Sequence, residues 1–161
     1  GWNSKDIDTS KRSRLFATKE MLIAEYSLIT YADGGFITSN KDLGLFLIEL
    51  MNGYKGKGTL LNKKSYEKLF EPKANNEEEY GIFMEFSKDF IRIKDLVIGH
   101  NGSDPGVTTA MYFNPKTETG KIILINTDAD FDDNYWPEVV SIWKSLIKYE
   151  ADLNNLKEVI N

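Results

Sequence analysis

The single histidine of the chain, His100, stands in the stretch Ile98-Gly99-His100-Asn101-Gly102-Ser103-Asp104-Pro105-Gly106. Imidazole is the side chain that exchanges a proton near neutral pH without help from its surroundings. Gly99 and Gly102, one on either side, let a backbone or a ligand approach closely. Two readings are open: a functional His at the edge of a cleft, or a half-buried imidazole that ends a strand and bonds a neighbouring loop. Asp128-Ala129-Asp130-Phe131-Asp132 opens like a calcium loop, but Asp133 replaces the turn glycine and Val139 stands where the bidentate Glu should be. That excludes an EF-hand, and no metal site is assigned. Asp33-Gly34-Gly35 reads as a turn whose glycines supply positive φ, in preference to an anion site at a helix start. With Cys 0, thiolate nucleophiles, disulfides and cysteine zinc sites are excluded together.

The elements that would position His100 follow from composition and period. The chain has 161 residues, 41% hydrophobic and 28% charged, which is the size and make-up of one globular domain. Twenty Lys and Arg against 25 Asp and Glu leave a net charge of -5, without a basic block. Nucleic acid is therefore excluded as the main partner. Apolar runs such as residues 122–125 fall far short of the roughly 20 residues that cross a bilayer, so no membrane span is expected. Gly1-Trp2-Asn3-Ser4-Lys5 has no apolar h-region, and no signal peptide is expected there.

Residues 1–33 keep no period, and at least 1–30 are expected to be irregular. Residues 40–70 are expected to be helical. Ser39 with Asp42 resembles a capping box, Leu43, Phe46, Leu47, Leu50 and Met51 follow at helical spacing, and Asn52-Gly53 is expected to end the run. After the Lys55-Gly56-Lys57-Gly58 turn, a short helix fits residues 62–70, with Pro72 as its stop. Residues 75–79 read as a solvated loop with a charge run. From residue 80 to 127 the period changes to that of strands: 80–86, 90–93, 96–100, 107–113 and 120–127, separated by short turns. Short turns imply antiparallel neighbours. Residues 122–125 are apolar throughout, which predicts a strand buried on both faces. Trp136, Val139, Val140, Trp143, Leu146 and Ile147 begin an amphipathic helix expected over 134–160, with Pro137 in its first turn. The fold class is α+β: an antiparallel sheet of four or five strands with flanking helices.

Several short pieces then fall in a telling order: Tyr31-Ala32-Asp33-Gly34-Gly35-Phe36, Met51-Asn52-Gly53, Tyr80-Gly81-Ile82, Gly99-His100-Asn101-Gly102-Ser103 with Pro105-Gly106, and Phe113-Asn114-Pro115. Over roughly residues 30–127 the chain resembles the C-terminal half of the serine β-lactamase-like hydrolases, the superfamily of class C β-lactamases, D,D-peptidases and related esterases. The resemblance implies the C-terminal part of a β-lactamase/transpeptidase-like fold and an acyl-serine mechanism without a cofactor. In it, S-x-x-K supplies the nucleophile, Y-x-N a proton shuttle, and K-T-G or H-x-G a strand that edges the cleft. His100-Asn101-Gly102 matches the last. By that match His100 donates a hydrogen bond into the cleft, Asn101 and Gly102 border the substrate, and the Ser103 backbone N–H is one oxyanion donor. The implied substrate is a small or peptide-like amide, ester or β-lactam, and the implied setting is the exported space of a bacterium.

The first two motifs do not match. Ser65-Tyr66-Glu67-Lys68, Ser141-Ile142-Trp143-Lys144 and Ser145-Leu146-Ile147-Lys148 spell S-x-x-K in the wrong elements, and Tyr112-Phe113-Asn114 spells Y-x-N at a strand end before a Pro turn. All four are read as chance. The chain is thus read as a C-terminal portion that lacks its nucleophile half and is inactive alone. The second reading is a non-catalytic binding or assembly module on the same scaffold. An uncovered strand at residues 121–127 would bare an apolar edge, which predicts a homo-oligomer.

Overall fold

A computed structural model describes residues 8–30, 32, 34–75, 78–88, 90, 94–130, 135–150, 152–153 and 155–156. Helix α1 runs over Asn40–Tyr54 and α2 over Lys63–Leu69. Six strands follow, β1 Lys73–Asn75, β2 Glu78–Tyr80, β3 Glu85–Ser87, β4 Val97–Asp104, β5 Val107–Asn114 and β6 Thr119–Ile125, and then helix α3, Tyr135–Lys148. They form one antiparallel sheet in the order β1-β2-β3-β4-β5-β6, so the fold is α+β with helices on both faces.

Helices α1 and α2 each start where a side chain meets an orphan backbone donor. Ser39 Oγ accepts from the Asp42 N–H at 3.1 Å and donates to Asp42 Oδ2 at 2.8 Å. Asn62 Oδ1 accepts from the Ser65 N–H at 2.9 Å. Helix α1 does not stop at Asn52-Gly53. It continues to Tyr54 and is closed by Gly56 at φ +72°, because Gly53 serves packing and not termination. A Cβ on Gly53 would lie 2.1 Å from Tyr66 Cε1.

Strand alternation divides the core in two. On one face Ile98 and Phe113 join Leu47 and Leu50 of α1 with Tyr66 of α2 and Phe70 just past its end. On the other, Val97, Ala110, Tyr112 and Ile123 pack around Trp143 of α3, which is 1% exposed. Trp143 meets Phe90 and Tyr112 edge-on, at ring centroids 5.0 and 6.0 Å apart. Lys121 of β6 sits 5.8 Å over the Trp143 ring and pairs with Glu150, tying the chain beyond α3 to the sheet.

Several expectations are corrected. Residues 75–79 are not simply a solvated loop, since Asn75 and residues 78–79 belong to a β1–β2 hairpin. Residues 80–86 are not one strand. The Gly81 N–H donates to the Met84 carbonyl at 2.7 Å, and this turn separates β2 from β3. Of the strand expected at 90–93, Phe90 lies in a helical turn and 91–93 lie outside the described residues. Residues 122–125 are not buried on both faces. Ile123 is buried but Leu124 is 36% exposed, because β6 is the last strand of the sheet and the helices overlie it only in part. Helix α3 ends at Lys148 with a turn at Tyr149; helical backbone resumes at Glu150 and is seen at 152–153 and 155–156, while 134, 151, 154 and 157–161 lie outside the described residues.

The described part of residues 1–33 is irregular apart from a helical turn at Thr9–Lys11. It is nonetheless tied down. The Phe16 N–H donates to the Asn126 carbonyl at 3.1 Å and the Asp128 N–H to the Phe16 carbonyl at 3.2 Å, a parallel bridge just past the end of β6. Tyr26 Oη donates to the Pro105 carbonyl at 2.9 Å, and Leu15 and Ile23 crowd Gly106, so this segment braces the β4–β5 turn.

Candidate functional site

Strand β4 carries all four residues singled out around the histidine. It pairs with β5 along its whole length, His100 opposite Met111, Asn101 opposite Ala110, Gly102 opposite Thr109 and Ser103 opposite Thr108. Its other side is covered only in part. Strand β3 pairs with Val97, Ile98 and Gly99 and goes no further. Among the described residues, positions 100–104 have no strand on that outer side, and residues 100–103 are exposed. An extended strand with one free side presents backbone donors and acceptors to whatever lies alongside.

Alternation places His100 and Gly102 on the face of α1 and α2, with Asn101 and Ser103 on the face of α3. His100 does not end its strand, which continues through Asp104, and its ring is exposed with Nδ1 against the Asn101 carbonyl. The two neighbouring glycines differ in purpose. A Cβ on Gly99 would lie 2.0 Å from the Met111 carbonyl oxygen, so the packing of β5 demands that glycine. Around Gly102 the one described atom within 4 Å of such a Cβ is Thr109 Oγ1, at 3.1 Å, so a side chain there would press on a single hydroxyl and not on backbone. Thr109 Oγ1 also donates to the Gly102 carbonyl at 3.3 Å.

On the α3 face a polar relay reaches the same stretch. Tyr112 Oη donates to Glu85 Oε2 at 2.5 Å and accepts from Asn101 Nδ2 at 3.3 Å. Burial, followed by the adjacent Glu85, pushes the Tyr112 phenol far above its usual range, so it stays protonated. Sequence reasoning missed Glu85 and Tyr112 as partners of Asn101. They lie 27 residues apart from each other, and only the register of three strands joins them.

The remaining candidates are not brought to β4. Ser141 and Ser145 lie on α3, across the sheet from His100, and Ser145 Oγ donates to the Ser141 carbonyl at 2.9 Å. Ser65 sits in the first turn of α2. Tyr112, Phe113 and Asn114 are all buried, and Asn114 Oδ1 accepts from the N–H groups of Lys116 and Thr117 to form the β5–β6 turn. Asp130 receives the Trp136 indole N–H at 3.0 Å, and Asp128 the Asp130 N–H at 2.9 Å. Asp132 lies outside the described residues, among which no cluster of three metal-ligating side chains occurs. Gly35 adopts φ +72°, as a turn glycine does, but Gly34 does not, so one of the two glycines supplies the positive φ; Asp33 lies outside the described residues.

No family model matches the chain, and neither the curated proteins nor the solved structures yield a match.

Proposed function

We propose that this chain is the C-terminal portion of a bacterial serine hydrolase of the β-lactamase and penicillin-binding type, and that β4 forms one wall of its cleft. The observation that carries this reading is the side of β4 at residues 100–104 that no strand among the described residues covers, bearing the exposed His100-Asn101-Gly102. In that role an acyl group lies along the strand, past Gly102, which carries no side chain. His100 donates into the cleft, and the Ser103 backbone N–H faces the developing oxyanion. One such donor is worth about 3–4 kcal/mol of barrier in other acyl-transfer enzymes. The nucleophile comes from another part of the protein, since Ser141 and Ser145 lie on α3, across the sheet from His100, and Ser65 stands in the first turn of the short helix α2. The chain alone is therefore inactive.

The same free strand also serves the second reading, a module that binds extended chains without chemistry. Replacing His100 in the complete enzyme separates the two. His100→Ala should lower kcat/KM by about 10² or more with the fold intact, the cost of one positioned polar group in a transition state. Unchanged turnover per folded molecule would refute the catalytic reading.

A further inference from the structure

Resting on the reading of β4 as a substrate-binding strand, we infer that Phe83 is the recognition residue of that strand, taking an apolar group of an extended, peptide-like ligand. Phe83 has φ +63°, a backbone region that a bulky side chain occupies only under strain. Packing does not compensate for it, because the ring is 77% exposed. The turn is imposed from both sides. The Gly81 N–H donates to the Met84 carbonyl at 2.7 Å, the Ile82 N–H donates to the Leu69 carbonyl at 3.0 Å, and Met84 is buried in the core. A glycine at position 83 would meet all of these constraints without strain, yet an aromatic ring stands there.

The register says where that turn stands. Glu85 pairs with Gly99, so the turn at residues 81–84 leaves the sheet level with His100 and Asn101, where the free side of β4 begins. A chain added alongside residues 100–104 would therefore have its end against the Phe83 turn. Strained backbone holding an exposed aromatic beside unpaired strand groups joins two signs of a recognition site: stored strain, and a rigid ring with few torsions to fix. The neutral ring selects an apolar group, while the strand groups select backbone amides.

The test uses the whole chain, ¹⁵N-labelled, titrated with two blocked tripeptides, acetyl-Ala-Leu-Ala-methylamide and its all-alanine counterpart. The expected result is shifts at residues 100–104 with both, and tighter binding of the leucine peptide. Phe83→Gly is expected to weaken the leucine peptide by about tenfold, while Tm stays at or above that of the parent, rising by about 2–4 °C if the full strain is released. If neither peptide shifts residues 100–104, this inference and the substrate-strand reading fall together. Equal binding by Phe83→Gly and the parent would overturn the role of Phe83 and leave the strand reading standing. Loss of both Tm and binding would make Phe83 a packing residue and overturn the inference as well.

Discussion

Two glycines of α1 should respond to the same substitution with opposite sign. Alanine is favoured over glycine in a helix interior by about 1 kcal/mol. At Gly44 nothing lies within 4 Å of an added Cβ, so Gly44→Ala should show that gain in full, raising Tm by about 2–4 °C. At Gly53 the added Cβ would lie 2.1, 2.3 and 2.7 Å from Cε1, Cδ1 and Cζ of Tyr66. That ring cannot swing away cheaply. It stacks on Phe70 at 6.5 Å with an interplanar angle of 10°, its hydroxyl donates to Glu49, and Gly58 closes on it beside Gly53. Overpacking of this kind costs about 1–3 kcal/mol, and Gly53 lies in the last turn, where the propensity gain is smallest. The net expectation for Gly53→Ala is a loss of about 2 kcal/mol, or about 4–8 °C in Tm for a chain of this length. Thermal unfolding followed by circular dichroism reads both variants. A Gly53→Ala variant as stable as the parent would refute the packing derived for the α1–α2 corner.

Glu49 anchors that corner, and its effect should depend on pH. Hydrogen bonds from Tyr66, then from the Leu60 and Thr59 N–H groups, lower its carboxyl from 4.5 to about 2. A carboxyl depressed on folding stabilises above its unfolded value and loses that contribution as pH falls through the folded one. The Tm gap between the parent and Glu49→Gln should thus be widest at neutral pH, shrink below about pH 4.5 and close near pH 2; a gap that persists at pH 2 would contradict the assignment. On β6 the only described cover of the outer side is the Phe16 bridge at its C-terminal end. The isolated chain should therefore self-associate through residues 119–124 in sedimentation at micromolar concentration, and Leu124→Lys should weaken the association. A monomer at all concentrations would show that this side is covered.

The sequence made β4, β5 and β6 legible because alternation and turn chemistry agree there: Asp104-Pro105-Gly106 and Asn114-Pro115 mark the hairpins, and Gly106 adopts φ +78° as such a turn requires. Strands β1 and β2 were not legible, since Lys73-Ala74-Asn75 and Glu78-Glu79-Tyr80 carry the polar composition of a loop and owe their pairing to one another. The run at 122–125 suggested double burial because apolar content reports affinity for a core, whereas exposure of Leu124 follows from the strand's place at the end of the sheet. The same limit applies at the site. His100 and Gly102 could be singled out by residue type. The free side of β4, the Tyr112–Glu85 relay and the outward ring of Phe83 all depend on where β3 stops, which no local pattern encodes.

The central claim is that β4 lines the cleft of an acyl-serine hydrolase whose nucleophile lies outside these 161 residues. Its most direct test is active-site labelling of the complete protein and of this chain side by side, with a fluorophosphonate probe and mass spectrometry of the labelled peptides. The expected result is stoichiometric labelling of one serine upstream of Gly1 in the complete protein, with Ser65, Ser141 and Ser145 unlabelled in both samples. Stoichiometric labelling of any of those three, or no labelled serine in the complete protein, would contradict the account.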